Sequence, residues 1–108
     1  MIDLEVIQRV QATLAERKNA DPQSSYVAGL YAKGTDAICK KIAEEAAETI
    51  MAAKDGDRLH LVREVTDLWF HSMILLTHFG LSVDDVVSEL RRREGISGVD
   101  EKKSRKPG

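Results

Sequence analysis

Two short acidic runs carry whatever chemistry this sequence performs. EEAAE at 44–48 packs Glu44, Glu45 and Glu48 into barely more than one helical turn with few cations beside them, and fifteen residues after Glu48 the run REVTDLW supplies Glu64 and Asp67. Unpaired carboxylates held close together repel, so without a cation some must stay protonated near neutral pH. A hard divalent ion removes that repulsion. An all-oxygen ligand set favours Mg²⁺, with Mn²⁺ able to substitute, because such ions bind through a few carboxylates and keep waters free for phosphates. A di-iron bundle would want Glu-x-x-His on two helices, and neither acidic pair has it. The alternative is that Glu44, Glu45 and Glu48 merely solvate a helix surface. Glu64 and Asp67 weigh against it, since they stand among Val, Leu, Trp and Phe, where an uncompensated charge near a packed face is costly.

Positioning these groups requires helices. Thr35 can cap a long helix through Lys54, with Ile38, Ile42, Ala46, Ile50 and Ala53 on one stripe. With Ile38 at zero, that stripe spans about 0–140°, whereas Glu44, Glu48 and Glu45 fall at about 240°, 280° and 340°, off the stripe on an adjoining face. KDGD makes the next turn. Asp57 then caps a helix to about Phe79, on which Glu64, Asp67 and His71 form one line that His60 and His78 extend. So short a turn makes the two helices antiparallel, which lets Glu45 and Glu48 face Glu64 and Asp67.

The remaining elements are also helical. Leu4, Ile7, Val10 and Leu14 predict a first helix over 4–18, ended by NADPQSS, and SSYVAGLYAKG predicts a short one capped by Ser24 or Ser25 and stopped by Gly34. Gly80 closes the fourth helix, and LSVDDVVSELRRR opens a fifth with Ser82 and Asp85 in capping-box spacing. The stretch from about 94 to 108 has no period and reads as an irregular basic tail. With no strand-like alternation, repeat or low-complexity tract, the expected fold is all-α, an antiparallel bundle of about four to five helices.

Composition agrees with one domain. A chain of 108 residues buries roughly 60–68% of its unfolded surface, too little for two cores. It is 43% apolar and 31% charged with two Pro, which favours a soluble helical protein over a disordered chain. A single cysteine, Cys39, excludes an intrachain disulfide and a multi-Cys zinc site. No signal-peptide pattern opens MIDLEVIQRV, and the apolar run from Leu68 to Leu76 is too short and too polar to cross a bilayer, so a cytoplasmic protein with no membrane partner is expected. Residues 91–108 carry seven Lys/Arg against three Asp/Glu, leaving −6 on the first 90. Nucleic acid is a poor partner for so acidic a body. Helix four carries Val62, Val65, Leu68, Trp69, Phe70 and Met73 around much of its circumference, more than short neighbours can cover, which predicts a homodimer or higher homo-oligomer.

Glu-x-x-Glu at 45–48 followed by Glu-x-x-Asp at 64–67 resembles the motif of the all-α nucleoside triphosphate pyrophosphohydrolases, the MazG-like superfamily. SSYVAGLYAKGTDAICKKIAEEAAETIMAAK, REVTDLWFHSMILL and SGVDEKKSRK narrow the likeness to the phosphoribosyl-ATP pyrophosphatase family of histidine biosynthesis, over about residues 3–106. Ala43, where a glycine is expected in many relatives, departs from the pattern but leaves every charged position intact. The resemblance implies hydrolysis of 1-(5-phosphoribosyl)-ATP between its α and β phosphates, with Mg²⁺ required. With one cysteine, the chain lacks the cysteine-bound zinc of the cyclohydrolase domain fused to some members. Glu45, Glu48, Glu64 and Asp67 would hold the metal, with Glu44 or one of these carboxylates orienting or deprotonating water.

Lys33, Lys40 and Lys41 are candidates for phosphate contacts or are simply solvated. Ser25 and Tyr26 either touch the nucleotide or serve as a cap and a packed ring. His71 either steadies Asp67 or is a satisfied core histidine, and Cys39, on the apolar side of its helix, is expected to be a small core residue. Two competing functions use the same features: house-cleaning hydrolysis of non-canonical nucleoside triphosphates, and a non-catalytic helical dimerisation module.

Overall fold

A computed structural model describes residues 1–105. Six α-helices are present among them, and no strand: α1 (Val6–Glu16), α2 (Tyr26–Lys33), α3 (Thr35–Asp55), α4 (Arg58–His78), α5 (Val83–Arg93) and α6 (Gly98–Ser104), with a 3₁₀ turn at Arg17–Asn19 after α1. No helix among the described residues is long and apolar enough to cross a membrane. The all-α expectation holds, with one helix more than the sequence predicts.

α3 and α4 are the axis. Gly56 at φ +73° ends α3, and Asp57 caps α4 by accepting the His60 N–H at 3.0 Å, so the helices reverse direction within two residues and lie antiparallel. The apolar core joins Leu14 of α1, Val27 and Leu30 of α2, Ile38 of α3 and Ile74 of α4. Tyr31 of α2 locks this corner: its hydroxyl donates to the Leu14 carbonyl at 2.9 Å and its ring stacks on His78. Gln11 ties the same corner to α5, donating to Thr77 Oγ1 at 2.8 Å and accepting the Val83 N–H at 3.0 Å.

Three sequence expectations are corrected. Thr35 is the first residue of α3 and not its cap; Gly34, at φ +96°, ends α2 and precedes α3 alone, a conformation that glycine adopts freely. On α3 the line of full burial is Ile38, Glu45 and Ala52, at 0%, 7% and 0% exposure, while Ile50 and Ala53 are exposed. Those positions recur every seven residues, the period of two helices packed along a common seam, so the seam drifts away from a stripe drawn at 3.6 residues per turn. Cys39, one residue beyond Ile38, consequently faces solvent.

The basic tail is the third. Residues 98–104 form α6, capped by Ser97, which accepts the Asp100 N–H at 3.1 Å; residues 106–108 lie outside the described part. Apolar periodicity could not reveal α6, because charge docks it. The buried Glu101 carboxylate receives Arg92 Nη2 at 2.7 Å on both oxygens and Arg105 Nε at 3.0 Å. α5 itself starts as expected, with the Ser82 N–H donating to the Asp85 carboxylate at 2.9 Å.

The Arg92 bonds hold the Glu101 carboxyl below its ordinary value, against the opposing effect of burial and with further help from Arg105. A depressed carboxyl stabilises the fold above the ordinary Glu range and loses that effect as pH falls through the lowered value. Replacing Arg92 by Ala should therefore speed amide exchange in α6 by roughly tenfold, the scale of one charge-assisted bond, while leaving α3 and α4 protected. Acidification of the wild type below the ordinary Glu range should release the same helix first.

Candidate functional site

Midway along the α3–α4 seam the packing changes from apolar to acidic. Glu45 stands on the buried line between Ile38 and Ala52, Glu48 follows one turn later at the solvent edge, and Glu64 approaches from α4. One oxygen from each of the three lies within 4.8 Å of the other two. Antiparallel packing brings them together: Glu45 and Glu48 are one turn apart on a single face, and the tight Gly56–Asp57 turn sets the register that places Glu64 opposite.

The group is under-satisfied. Glu45 Oε2 and Glu64 Oε2 are sealed from solvent, and no donor reaches either. The other oxygens have partial relief: Lys41 Nζ lies 3.8 Å from Glu45 Oε1, and His60 Nε2 lies 3.1 Å from Glu64 Oε1. Buried acceptors without donors are destabilising unless a proton or a cation joins them. The donor set fits a hard divalent ion, being all carboxylate, spanning two helices and holding two bare oxygens.

Not every predicted residue enters this group. Asp67, one turn beyond Glu64, is exposed and outside the three; its backbone carbonyl bonds His71 Nδ1 at 2.8 Å. Glu44 lies on the solvent side, held by Lys41 Nζ at 3.2 Å. That bond, more than any other influence, raises the Lys41 pKa and keeps it a cation beside the acidic group. Lys40 is exposed.

A second feature gathers the other sequence candidates. Ser25, Tyr26 and Lys33 line one cavity of about 320 Å³ between α2 and the loop before it. Ser25 caps α2, its Oγ accepting the Ala28 N–H at 3.2 Å. Sequence reasoning missed Pro22, Gln23 and Ser24 on the loop wall, and Gly29 on the helix wall. A Cβ on Gly29 would stand 3.3 Å from the Pro22 carbonyl oxygen, so glycine allows the loop its close approach. A Gly inside a helix, after a Pro-containing loop, was the signal available. His60 was also missed as a partner of Glu64, though their i, i+4 spacing announces it.

Crowding of these acids in the seam has a measurable consequence. Hydrogen bonding with Glu48, then burial, then hydrogen bonding with Glu45 push the Glu64 carboxyl from 4.5 up to about 7. A raised carboxyl means that the folded state holds its proton more tightly than the unfolded chain, so this group's stabilising effect is complete below about 4.5 and is lost as pH rises to about 7. The metal-free protein should therefore melt at a lower temperature at pH 8 than at pH 5.5 on this group's account. Mn²⁺ should restore stability at pH 8, and Glu64→Gln should flatten the pH dependence and abolish the Mn²⁺ effect, all read by thermal melts.

A model of the phosphoribosyl-ATP pyrophosphohydrolase family matches residues 7–94. Similar proteins named phosphoribosyl-ATP pyrophosphatase include one from Azoarcus sp. (strain BH72), 81% identical over 98% of this chain and 99% of its own length. Another from Chromobacterium violaceum is 67% identical over 95% of both chains, and one from Neisseria gonorrhoeae is 57% identical over 93% of this chain and 94% of its own. With that match and relatives of this identity along nearly their whole length, the chain belongs to the phosphoribosyl-ATP pyrophosphohydrolase family.

Proposed function

We propose that the chain hydrolyses 1-(5-phosphoribosyl)-ATP to 1-(5-phosphoribosyl)-AMP and pyrophosphate, the second step of histidine biosynthesis, in the cytoplasm. One observation carries the reading: in a chain of this family, three converging carboxylates leave two buried oxygens with no donor, a site that needs a cation. Glu45, Glu48 and Glu64, with Asp67 at the exposed end of the same line, would hold Mg²⁺, or Mn²⁺ in its place. Such an ion supplies charge neutralisation on the triphosphate and a more acidic water.

The chain's own groups do the rest. A carboxylate of Glu44, Glu45 or Glu48 orients the attacking water and takes its proton. The water oxygen bonds to the α phosphorus, the bond from that phosphorus to the bridging oxygen breaks, and pyrophosphate leaves with the electron pair. Lys41, held by Glu44 at the edge of the acidic group, would supply a cation to the negative charge on the leaving group. Exposed Lys40 would add a further phosphate contact, and Lys33 with Ser25 and Tyr26 offers the α2 cavity to the rest of the nucleotide. Since the sequence contains no GxxxxGK[ST] cradle, lysines and an ion held by the carboxylates would take over phosphate binding.

The working unit is a homodimer or a higher homo-oligomer. An apolar groove of about 490 Å³ runs between α1 and α4, and Trp69 on its wall is 61% exposed. An adjoining groove of about 300 Å³ continues it to α5, sharing Ile7, Trp69 and Met73. A second copy of so apolar a surface is its fitting cover.

Turnover with phosphoribosyl-ATP should exceed that with any of a panel of nucleoside triphosphates, and preference for a non-canonical triphosphate would overturn the substrate assignment. In ¹⁸O-water, phosphorus NMR should find label in the α phosphate of phosphoribosyl-AMP and none in pyrophosphate. Glu48→Gln and Glu64→Gln should each lower kcat/KM by on the order of 100-fold or more. Light scattering at micromolar concentration should return a multiple of the 12.0 kDa chain mass.

A further inference from the structure

His71 makes two hydrogen bonds whose directions follow from chemistry. Its Nδ1 lies 2.8 Å from the Asp67 carbonyl oxygen, which can only accept, so Nδ1 carries the proton. In the tautomer that this bond selects, Nε2 is the acceptor, and the Tyr26 hydroxyl, 2.8 Å away, donates to it. His71 is buried at 6% exposure, with Tyr26 and Phe70 both at right angles to its ring, whereas Tyr26 is 57% exposed at the start of α2. A buried imidazole on α4 thus pins an exposed phenol on another helix.

Tyr26 occupies the boundary between the two halves of the site. It lines the α2 cavity with Ser25 and Lys33, and the charges acting on its hydroxyl are Lys41, Glu45, Glu44 and Asp67, all from the acidic edge. Its one proton is committed to His71, so its oxygen faces the site as an acceptor alone. Phosphate oxygens are acceptors too and gain nothing from it.

We infer that His71 is a positioning residue that fixes the Tyr26 phenol at this boundary, and that the Tyr26 oxygen accepts a hydrogen bond from a donor group on the non-phosphate part of the substrate, a sugar hydroxyl being the donor chemistry at hand. The inference rests on the function proposed above and adds the wall that recognises the nucleotide's non-phosphate part.

Kinetics on the intact protein test it. Tyr26→Phe removes the acceptor with little change of shape and should raise KM for phosphoribosyl-ATP by roughly 5- to 20-fold, the scale of one hydrogen bond. His71→Leu should raise KM by a similar factor, and the double variant should be no worse than either single one, because both remove the same contact. His71→Gln, whose amide oxygen can still accept from the phenol, should recover most of the loss. Inhibition by pyrophosphate, which lacks sugar hydroxyls, should be unchanged in Tyr26→Phe. Thermal melts separate any loss of folding in His71→Leu from the KM effect. Unchanged KM in Tyr26→Phe, multiplied effects in the double variant, or equal weakening of pyrophosphate and substrate would overturn this inference alone. Absence of phosphoribosyl-ATP turnover in the wild type would overturn the functional reading and this one with it.

Discussion

Like charge held inside a helix seam governs this molecule. Glu45 occupies the same line on α3 as Ile38 and Ala52, so packing α3 against α4 necessarily takes a carboxylate out of water. Glu64 comes with it from the other side, and neither finds a donor for its second oxygen. Apolar residues at those two positions would make a more stable pair of helices; keeping acids there is destabilising in the metal-free state and stores the demand for a cation that a phosphoanhydride hydrolase can use.

The rest of the structure holds that seam closed against its own repulsion. Fully buried Ile38 and Ile74 close it on one side of the acids, and the α1–α2 corner covers that side through Leu14, Leu30 and the Tyr31 hydroxyl bond. Ala52, with no side-chain bulk, closes the other side near the Gly56 turn. Repulsion is softened at the edges by Lys41 and His60, one from each helix. The pattern is an acidic middle between two packed ends, which keeps the carboxylates from drifting apart.

Division of labour follows from the same geometry. α3 and α4 supply groups for charge, while α2 and its preceding loop supply a cavity with mixed polar and apolar walls. Tyr26 and His71 join the two, since the phenol belongs to the cavity and its anchor stands on α4 two turns after Glu64. Away from the seam, α6 is held to α5 by an arginine clasp. A short polar helix is affordable there because a buried carboxylate with two guanidinium partners is fully bonded, unlike the carboxylates in the seam.

The sequence alone determined the helices that matter and which acids meet in the seam. Acidic pairs at i, i+3, a glycine turn, an Asp cap and a Ser–Asp capping box are local signals, and the spacing of Glu45, Glu48 and Glu64 across one reverse turn already implied that they meet. Tertiary structure decided what depends on the partner surface. Packing along a seven-residue seam, and not the isolated helix's 3.6-residue period, put Glu45 inside and Ile50 and Cys39 outside. Docking by charge made a helix of residues 98–104, which carry no apolar period to announce it. And only the meeting of α2 with α4 gave His71 its phenol, because a hydrogen bond between residues 45 apart leaves no trace in the spacing of either segment.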